Sequence, residues 1–279
     1  MISFVLLAIV AATPLLLAVE GETIVQRSGI INLGIEGMML NAAMTAVLFA
    51  QWSQSAAIGF AGGILGAAVT GALFGFFAIV LAADQIVTGT AINFLALGVT
   101  GFVYREMSEI FVRKVPVVAQ DAVVWIAWIA VPIALALLLW NTTFGLRLRA
   151  CGENPEAVAA AGASVRAHRW IALAIESVVT GVAGAYLALA LSSGFAENMV
   201  AGRGYIALSI VIFGRWQLKG AVLGTALFGL AAAAQYALQA ANRGVQFHLL
   251  LALPYVVTLL ILFGIAGRVV APEALGKRS

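Results

Sequence analysis

Two amides and two carboxylates stand in otherwise apolar stretches of this chain: Asn32, Asn93, Glu36 and Glu176. Such side chains are unfavourable in a bilayer, where they pair with each other, bond a neighbouring helix or line a polar pathway. Asn32 and Glu36 are four residues apart, which puts them on one helical face. They lie in Gly21–Met39, where Gly29, Gly34 and Gly37 interrupt the pattern that opens a span. Glycine-broken helices line transporter binding sites, and glycines also serve plain helix packing. Asn93 follows Thr88 and Thr90 and shares a face with Thr90. A buried Asn needs hydrogen-bond partners, whether a substrate or another helix. Glu176 is the lone charge in Trp170–Ala196 and reads as a proton-relay residue or a carboxylate at headgroup level. These four are the candidate pathway residues.

A second constellation is polar and helical. Asn154 suits an N-cap and Pro155 the first helical position, while Glu156 complements the positive end of the helix dipole. A short helix over Pro155–Ala161 should follow, with Gly162 as its stop. Together with Gly152 and Glu153 these residues sit in the longest basic loop, about 143–169. The segment either docks a soluble partner or merely joins two spans.

Other chemistries lack their residues. There is no Walker A pattern, no H-E-x-x-H and no G-x-S-x-G. The single Cys151 excludes an internal disulfide or a Cys-built metal site, and His168 and His248 are too few for a cluster. No metal ligand set is therefore assigned.

The elements that position these residues follow from composition. Of 279 residues, 63% are hydrophobic and 10% charged, and the mean hydropathy is +1.07. A soluble domain is about 45–50% apolar and about 25% charged. That contrast excludes a soluble enzyme, a disordered chain and a nucleic-acid binder. It leaves an all-α, polytopic transmembrane bundle read as a single domain over 1–279.

A spanning helix needs about 20 apolar residues. Met1–Val19 lacks a basic lead and a small-residue cleavage site, so it reads as a retained span. Gly37–Ala83 is long enough for two spans, divided at Gln51–Ser55 with Trp52 at an interface. Gln85–Tyr104, Ala122–Leu146, Trp170–Ala196, Ala221–Asn242 and Gly244–Gly267 supply the others. Gly204–Gly214 is short, as a re-entrant helix would be. The expectation is eight full spans and one short helix.

Orientation follows the basic residues. With the loop and tail cytoplasmic, Arg27, Arg147, Arg149, Arg166, Arg169, Arg215, Lys219, Arg268, Lys277 and Arg278 fall inside. Arg105, Arg113, Lys114, Arg203 and Arg243 fall outside. This bias places the N-terminus outside and the C-terminus in the cytoplasm. Gly66–Gly75 and Gly220–Gly229 match at six of ten positions and would run in opposite directions. That is the pattern of an inverted repeat, or of two Gly/Ala-rich packing faces that match by chance.

Taken in order, several strings carry a family resemblance: Gly21-Glu22-Thr23, Arg27-Ser28-Gly29, Asn32 through Met39, Cys151 through Pro155, Ala160-Ala161-Gly162, Gly202 through Leu208 and Val211 through Trp216. The chain resembles permease subunits of bacterial ABC importers, in the ribose and branched-chain branch. The strings Asn32–Met39 and Gly202–Leu208 are nearest the nucleoside (guanosine-type) and simple-sugar permeases.

The resemblance implies a bacterial inner-membrane subunit with a fold like that of type II importers. It also implies a small-molecule pathway shared with a second, homologous permease. A cytoplasmic ATPase, binding ATP and magnesium itself, would dock on Gly152, Glu153, Asn154, Pro155, Glu156 and Gly162. An extracytoplasmic binding protein or lipoprotein would deliver substrate. No cofactor is implied in this chain. Relatives usually carry a small or apolar residue where Glu176 stands. The competing expectation is an ion-coupled secondary transporter of a small polar solute, motivated by Glu176 and the repeat.

Overall fold

The structure is a computed structural model, and it describes residues 2–111, 115, 116, 118, 120–240, 256 and 270–277. The chain order is α1 (Ile2–Arg27), α2 (Ile35–Ser53), α3 (Ala56–Gly75), α4 (Gln85–Glu106), α5 (Ser108–Phe111), α6 (Gln120–Trp125), α7 (Val131–Asn141), α8 (Thr143–Glu153), α9 (Pro155–Ala160), α10 (Val165–Tyr186), α11 (Arg203–Phe213) and α12 (Leu218–Ala240). Three π-helical turns extend these elements: Phe76–Val80 after α3, Ile126–Ala130 joining α6 to α7, and Leu187–Leu191 after α10. No strand occurs among the described residues.

Six helices are long and apolar enough to cross a membrane: Phe4–Arg27, Ala56–Val80, Gln85–Glu106, Gln120–Asn141, Val165–Leu191 and Leu218–Gln239. This fits a multi-pass membrane protein. The expected span Gly244–Gly267 lies outside the described residues, as do Arg113, Lys114, Arg243, His248, Arg268 and Arg278. The first helix runs past the expected Val19 to Arg27, carrying Glu20 and Glu22 into the protein interior.

Helix α2 is the first expected half of Gly37–Ala83, and it is less apolar than the six. Its position explains this: it packs against α3, α10, α4 and α11. A helix enclosed by protein can carry Glu36, Asn41 and Gln51 without presenting them to lipid. The break between α2 and α3 falls at Gln54, in the left-handed region (φ 54°), and Trp52 there is 83% exposed. The split at the polar patch thus lies where its residues place it.

Small residues set the central packing. On α10, Gly181 abuts the backbone of α3 at Ile64, and Gly184 abuts the backbone of α2 at Met39 and Ala43. On α3, Gly63 lies against Ala185 and Gly71 against Ser177. Without side chains at these points the three helices approach closely. Outward faces are apolar: Phe94 and Phe102 on α4, Val69 on α3 and Leu137 on α7 are all exposed.

Polar caps end the helices where the sequence supplies them. Asp84 accepts from the N–H groups of Ile86 and Val87 at 3.0 Å, Thr142 caps α8 through Gly145 (2.9 Å), and Ser164 caps α10 through Ala167 (3.2 Å). Both decapeptides of the proposed repeat are helical. Gly66 faces Thr45 of α2, and Gly229 faces Ala8 and Ala12 of α1.

Candidate functional site

The sequence-predicted residues separate into a cavity in the bundle, a buried network behind it and a groove at one end. The cavity forms where α11 begins. Helix α11 has eleven residues, about 16 Å at 1.5 Å per residue, or half the roughly 30 Å hydrocarbon core. It is therefore too short to cross by itself, and its first turn packs against the start of α2. Gly202 takes a left-handed conformation (φ 83°) to start it.

The unpaired N–H groups there need acceptors, and Glu36 supplies them from the first turn of α2. Glu36 Oε1 accepts from Gly202 N (2.7 Å) and Oε2 from Gly204 N (2.6 Å). The carboxylate thus sits on the positive end of the α11 dipole. Gly204 has no room for a side chain, because a Cβ would lie 2.6 Å from Glu36 N. Arg203 turns back onto the carbonyls of Met199 and Val200 (3.1 and 2.9 Å). The preceding loop is tethered by an exposed ion pair, Arg105–Glu197 (2.9 Å), which holds the Glu197 carboxyl below its ordinary range.

Asn93 knits this corner together. Its Oδ1 accepts from Gly37 N (2.8 Å), and its Nδ2 donates to Leu33 O (2.8 Å) and to Tyr205 Oη (2.9 Å). A cavity of about 240 Å³ opens here, lined by Glu36, Asn93, Asn198, Gly202, Phe94 and Tyr205 among others. It offers an amide, a phenol and two half-open aromatic faces beside a carboxylate. That set suits a small polar molecule with a flat or hydroxylated surface. Thr90, placed by spacing beside Asn93, instead bonds its own helix at Ile86 O (2.8 Å), whereas Thr88 is buried. Asn93→Ala leaves Gly37 N–H and Leu33 O unpaired. It should lower stability by about 1–3 kcal/mol, read as a fall in the thermal unfolding midpoint.

Asn32 and Glu176 do not line this cavity. They bond each other at 2.8 Å in the fully buried interior between α1, α2 and α10. Glu176 is 0% exposed, enclosed by protein on every side.

The groove is built on the α8–α9 segment. Asn154 caps α9 through Ala157 N (3.0 Å), Pro155 opens it, and Gly162 (φ 76°) ends it. Glu153, Asn154, Pro155 and Glu156 line a groove of about 650 Å³ with Arg166, Arg169, Glu273 and Lys277. Gly152 is not in the lining. Its Cα lies against the Arg27 carbonyl, where a Cβ would collide with backbone. Glu153 reaches Arg27 at 4.0 Å. Cys151 is buried, which pushes its thiol up and leaves it a packing residue.

The C-terminal segment is the part sequence reasoning missed. Ala274 N donates to Gly152 O (2.8 Å) and Gly276 N to Gly29 O (3.2 Å), so residues 272–277 wall the groove. The available signal was Pro272 and Gly276 bracketing Ala274-Leu275, a turn with apolar residues to bury.

Comparison with known proteins fits this arrangement. The chain is 33% identical over 302 residues to the guanosine ABC transporter permease protein NupQ of Bacillus subtilis, covering 96% of this chain and 93% of that protein. It is 33% identical over 296 residues to the nucleoside ABC transporter permease protein NupC of Lactococcus lactis, with the same coverage. A putative glucose ABC transporter permease protein, TsgC13 of Haloferax volcanii, is 32% identical over 245 residues, 81% of this chain and 74% of that protein. No solved structure matches. Residues 4–266 match the family described as branched-chain amino acid transport system / permease component. A short apolar helix capped from a neighbour, a polar cavity beside it and near end-to-end similarity to transport permeases agree: the chain belongs to this permease family, a membrane transport component and not an enzyme.

Proposed function

We propose that this chain is the pathway-forming permease subunit of an ATP-driven importer for nucleosides, related purines or simple sugars. The observation that carries the reading is the similarity along 96% of the chain to two nucleoside permeases. The cavity at Glu36, Asn93 and Tyr205 supports it, since hydroxyls and ring faces are what such solutes present. In this reading the whole chain is one permease domain in a bacterial inner membrane, N-terminus outside and C-terminus in the cytoplasm. A second, homologous permease completes the pathway, and an extracytoplasmic binding protein delivers the solute.

A separate ATPase holds ATP and magnesium and docks on the groove at Glu153–Glu156. The capped helix α9 is its contact, and the mixed charges of Glu153, Glu156, Arg166 and Lys277 favour a polar protein surface. Glu153→Arg or Asn154→Ala with Pro155→Ala should weaken ATPase capture by about tenfold while leaving membrane insertion intact. Losing the cap alone is worth about 1 kcal/mol of α9 stability. A pull-down with undiminished capture removes this assignment.

Reconstitution tests the function itself. Purified chain with its ATPase, second permease and binding protein should take up nucleoside only with ATP. ATP-independent uptake by this chain alone, abolished by a proton ionophore, supports the ion-coupled alternative.

A further inference from the structure

Behind the cavity, two glutamates meet without a cation. Glu22 on α1 and Glu176 on α10 are both 0% exposed, and neither forms an ion pair among the described residues. Asn32 joins the two, its backbone N–H reaching one carboxyl and its side-chain amide the other. Glu22 Oε1 accepts from Gln26 Nε2 (2.7 Å) and from Asn32 N (3.2 Å). Glu176 Oε2 accepts from Asn32 Nδ2 (2.8 Å). The remaining oxygens, Glu22 Oε2 and Glu176 Oε1, are buried and meet no N–H or hydroxyl donor among the described residues. Ionised carboxylates only accept, so two buried ones gathered on a single asparagine can bond each other only if one carries a proton. Two facing negative charges in a low-dielectric interior would repel strongly.

The surroundings favour a proton over a metal ion. Asn32 Oδ1 accepts from Gly34 N (2.9 Å), which fixes the amide so that its NH2, not its carbonyl, faces Glu176. A hard cation needs oxygen ligands, and a donor NH2 opposes one. Helix α2 presents Met38, whose sulfur is 3.0 Å from the same NH2. Charged groups on the packed elements are engaged elsewhere. Glu36 caps α11, and Arg169 donates to Ser28 O (3.3 Å). Glu20 lies on α1, two residues before Glu22, and is buried.

We propose that Glu22 and Glu176 retain a single shared proton, and that this acid–carboxylate pair is a positioning device which, through Asn32, holds the glycine-rich break between α1 and α2. That break carries Leu33 and leads into Gly37 in the first turn of α2, the backbone partners of Asn93 at the cavity. The proton stays in place during transport, so the pair is not a relay. The inference concerns the fold of the site and stands whatever the cargo is.

Infrared difference spectra of the purified full chain test it. Wild type minus Glu176→Gln, and wild type minus Glu22→Gln, should each show loss of a protonated carboxyl C=O band that shifts in D2O. Gln donates an N–H to the remaining carboxylate. Each Gln variant should therefore keep the uptake of the reconstituted complex within about twofold, whereas Glu176→Ala should lower it about tenfold or more. If Glu176→Ala does not accumulate, the spectra of the two Gln variants decide the question. A band unchanged in both variants overturns the proposal, as does Glu176→Gln failing as far as Glu176→Ala. A thermal midpoint raised by sodium but not by choline, and insensitive to sodium in Glu176→Gln, would instead assign a cation site.

Discussion

Glu36→Ala should remove most uptake from the reconstituted importer, a loss of about tenfold or more, while the chain still inserts and extracts as a folded protein. The size follows from what the carboxylate holds. It accepts the N–H groups of Gly202 and Gly204 at 2.7 and 2.6 Å. Hydrogen bonds to a charged group are each worth about 1.5–3 kcal/mol, and a charge at a helix N-terminus adds up to about 2 kcal/mol in a partly buried setting. Alanine leaves two N–H groups without an acceptor at the start of the short helix α11. Its first turn should fray, and Tyr205 would lose its place beside Asn93. Glu36→Gln keeps one acceptor oxygen but turns an NH2 toward a donor, so its defect should be intermediate. Uptake in proteoliposomes checks the order wild type, Gln, Ala. Equal uptake in all three would show that α11 needs no cap.

Gly181→Val on α10 should have the largest effect on the protein itself. A Cβ at this position would lie 2.5 Å from Ile64 Cα and 2.9 Å from Ile64 N. These are backbone atoms of α3, so no side-chain rotation relieves the clash. Overpacking of a well-packed interior costs about 1–3 kcal/mol and occasionally more, and this site belongs at the upper end. The seam cannot shift freely, because Gly184 presses on α2 one turn further along. The variant should accumulate poorly and lose its monodisperse peak after detergent extraction. Gly98→Val is the control: nothing lies within 4 Å of a Cβ there, so its midpoint should stay with wild type. An unchanged midpoint in Gly181→Val would contradict the tight α10–α3 contact.

Several local features were legible because local chemistry fixes them. Asn154, Pro155 and Gly162 bracket α9 through capping and a left-handed stop, which are properties of neighbouring residues. The shortness of α11 was readable as an interrupted apolar run, and the α2–α3 break as a polar patch with Trp52. Long-range pairing was not legible. Asn32 and Glu36 share a face by spacing, yet the non-helical break through Gly34 sends one to Glu176 and the other to α11. Their partners lie 144 and 166 residues away, and no periodicity encodes such distances. The enclosure of α2 by neighbouring helices was not legible either. Hydropathy measures contact with lipid, and α2 has little, since protein surrounds it.

The C-terminal segment has a practical consequence for anyone purifying this protein. Residues 272–277 form a wall of the groove, held by the carbonyls of Gly29 and Gly152. An affinity tag or fluorescent fusion attached directly behind Lys277 would therefore emerge beside Glu153 and Asn154 and crowd any protein arriving there. Fusion at the other terminus, before the exposed Val5-Leu6-Leu7 stretch of α1, keeps that approach open.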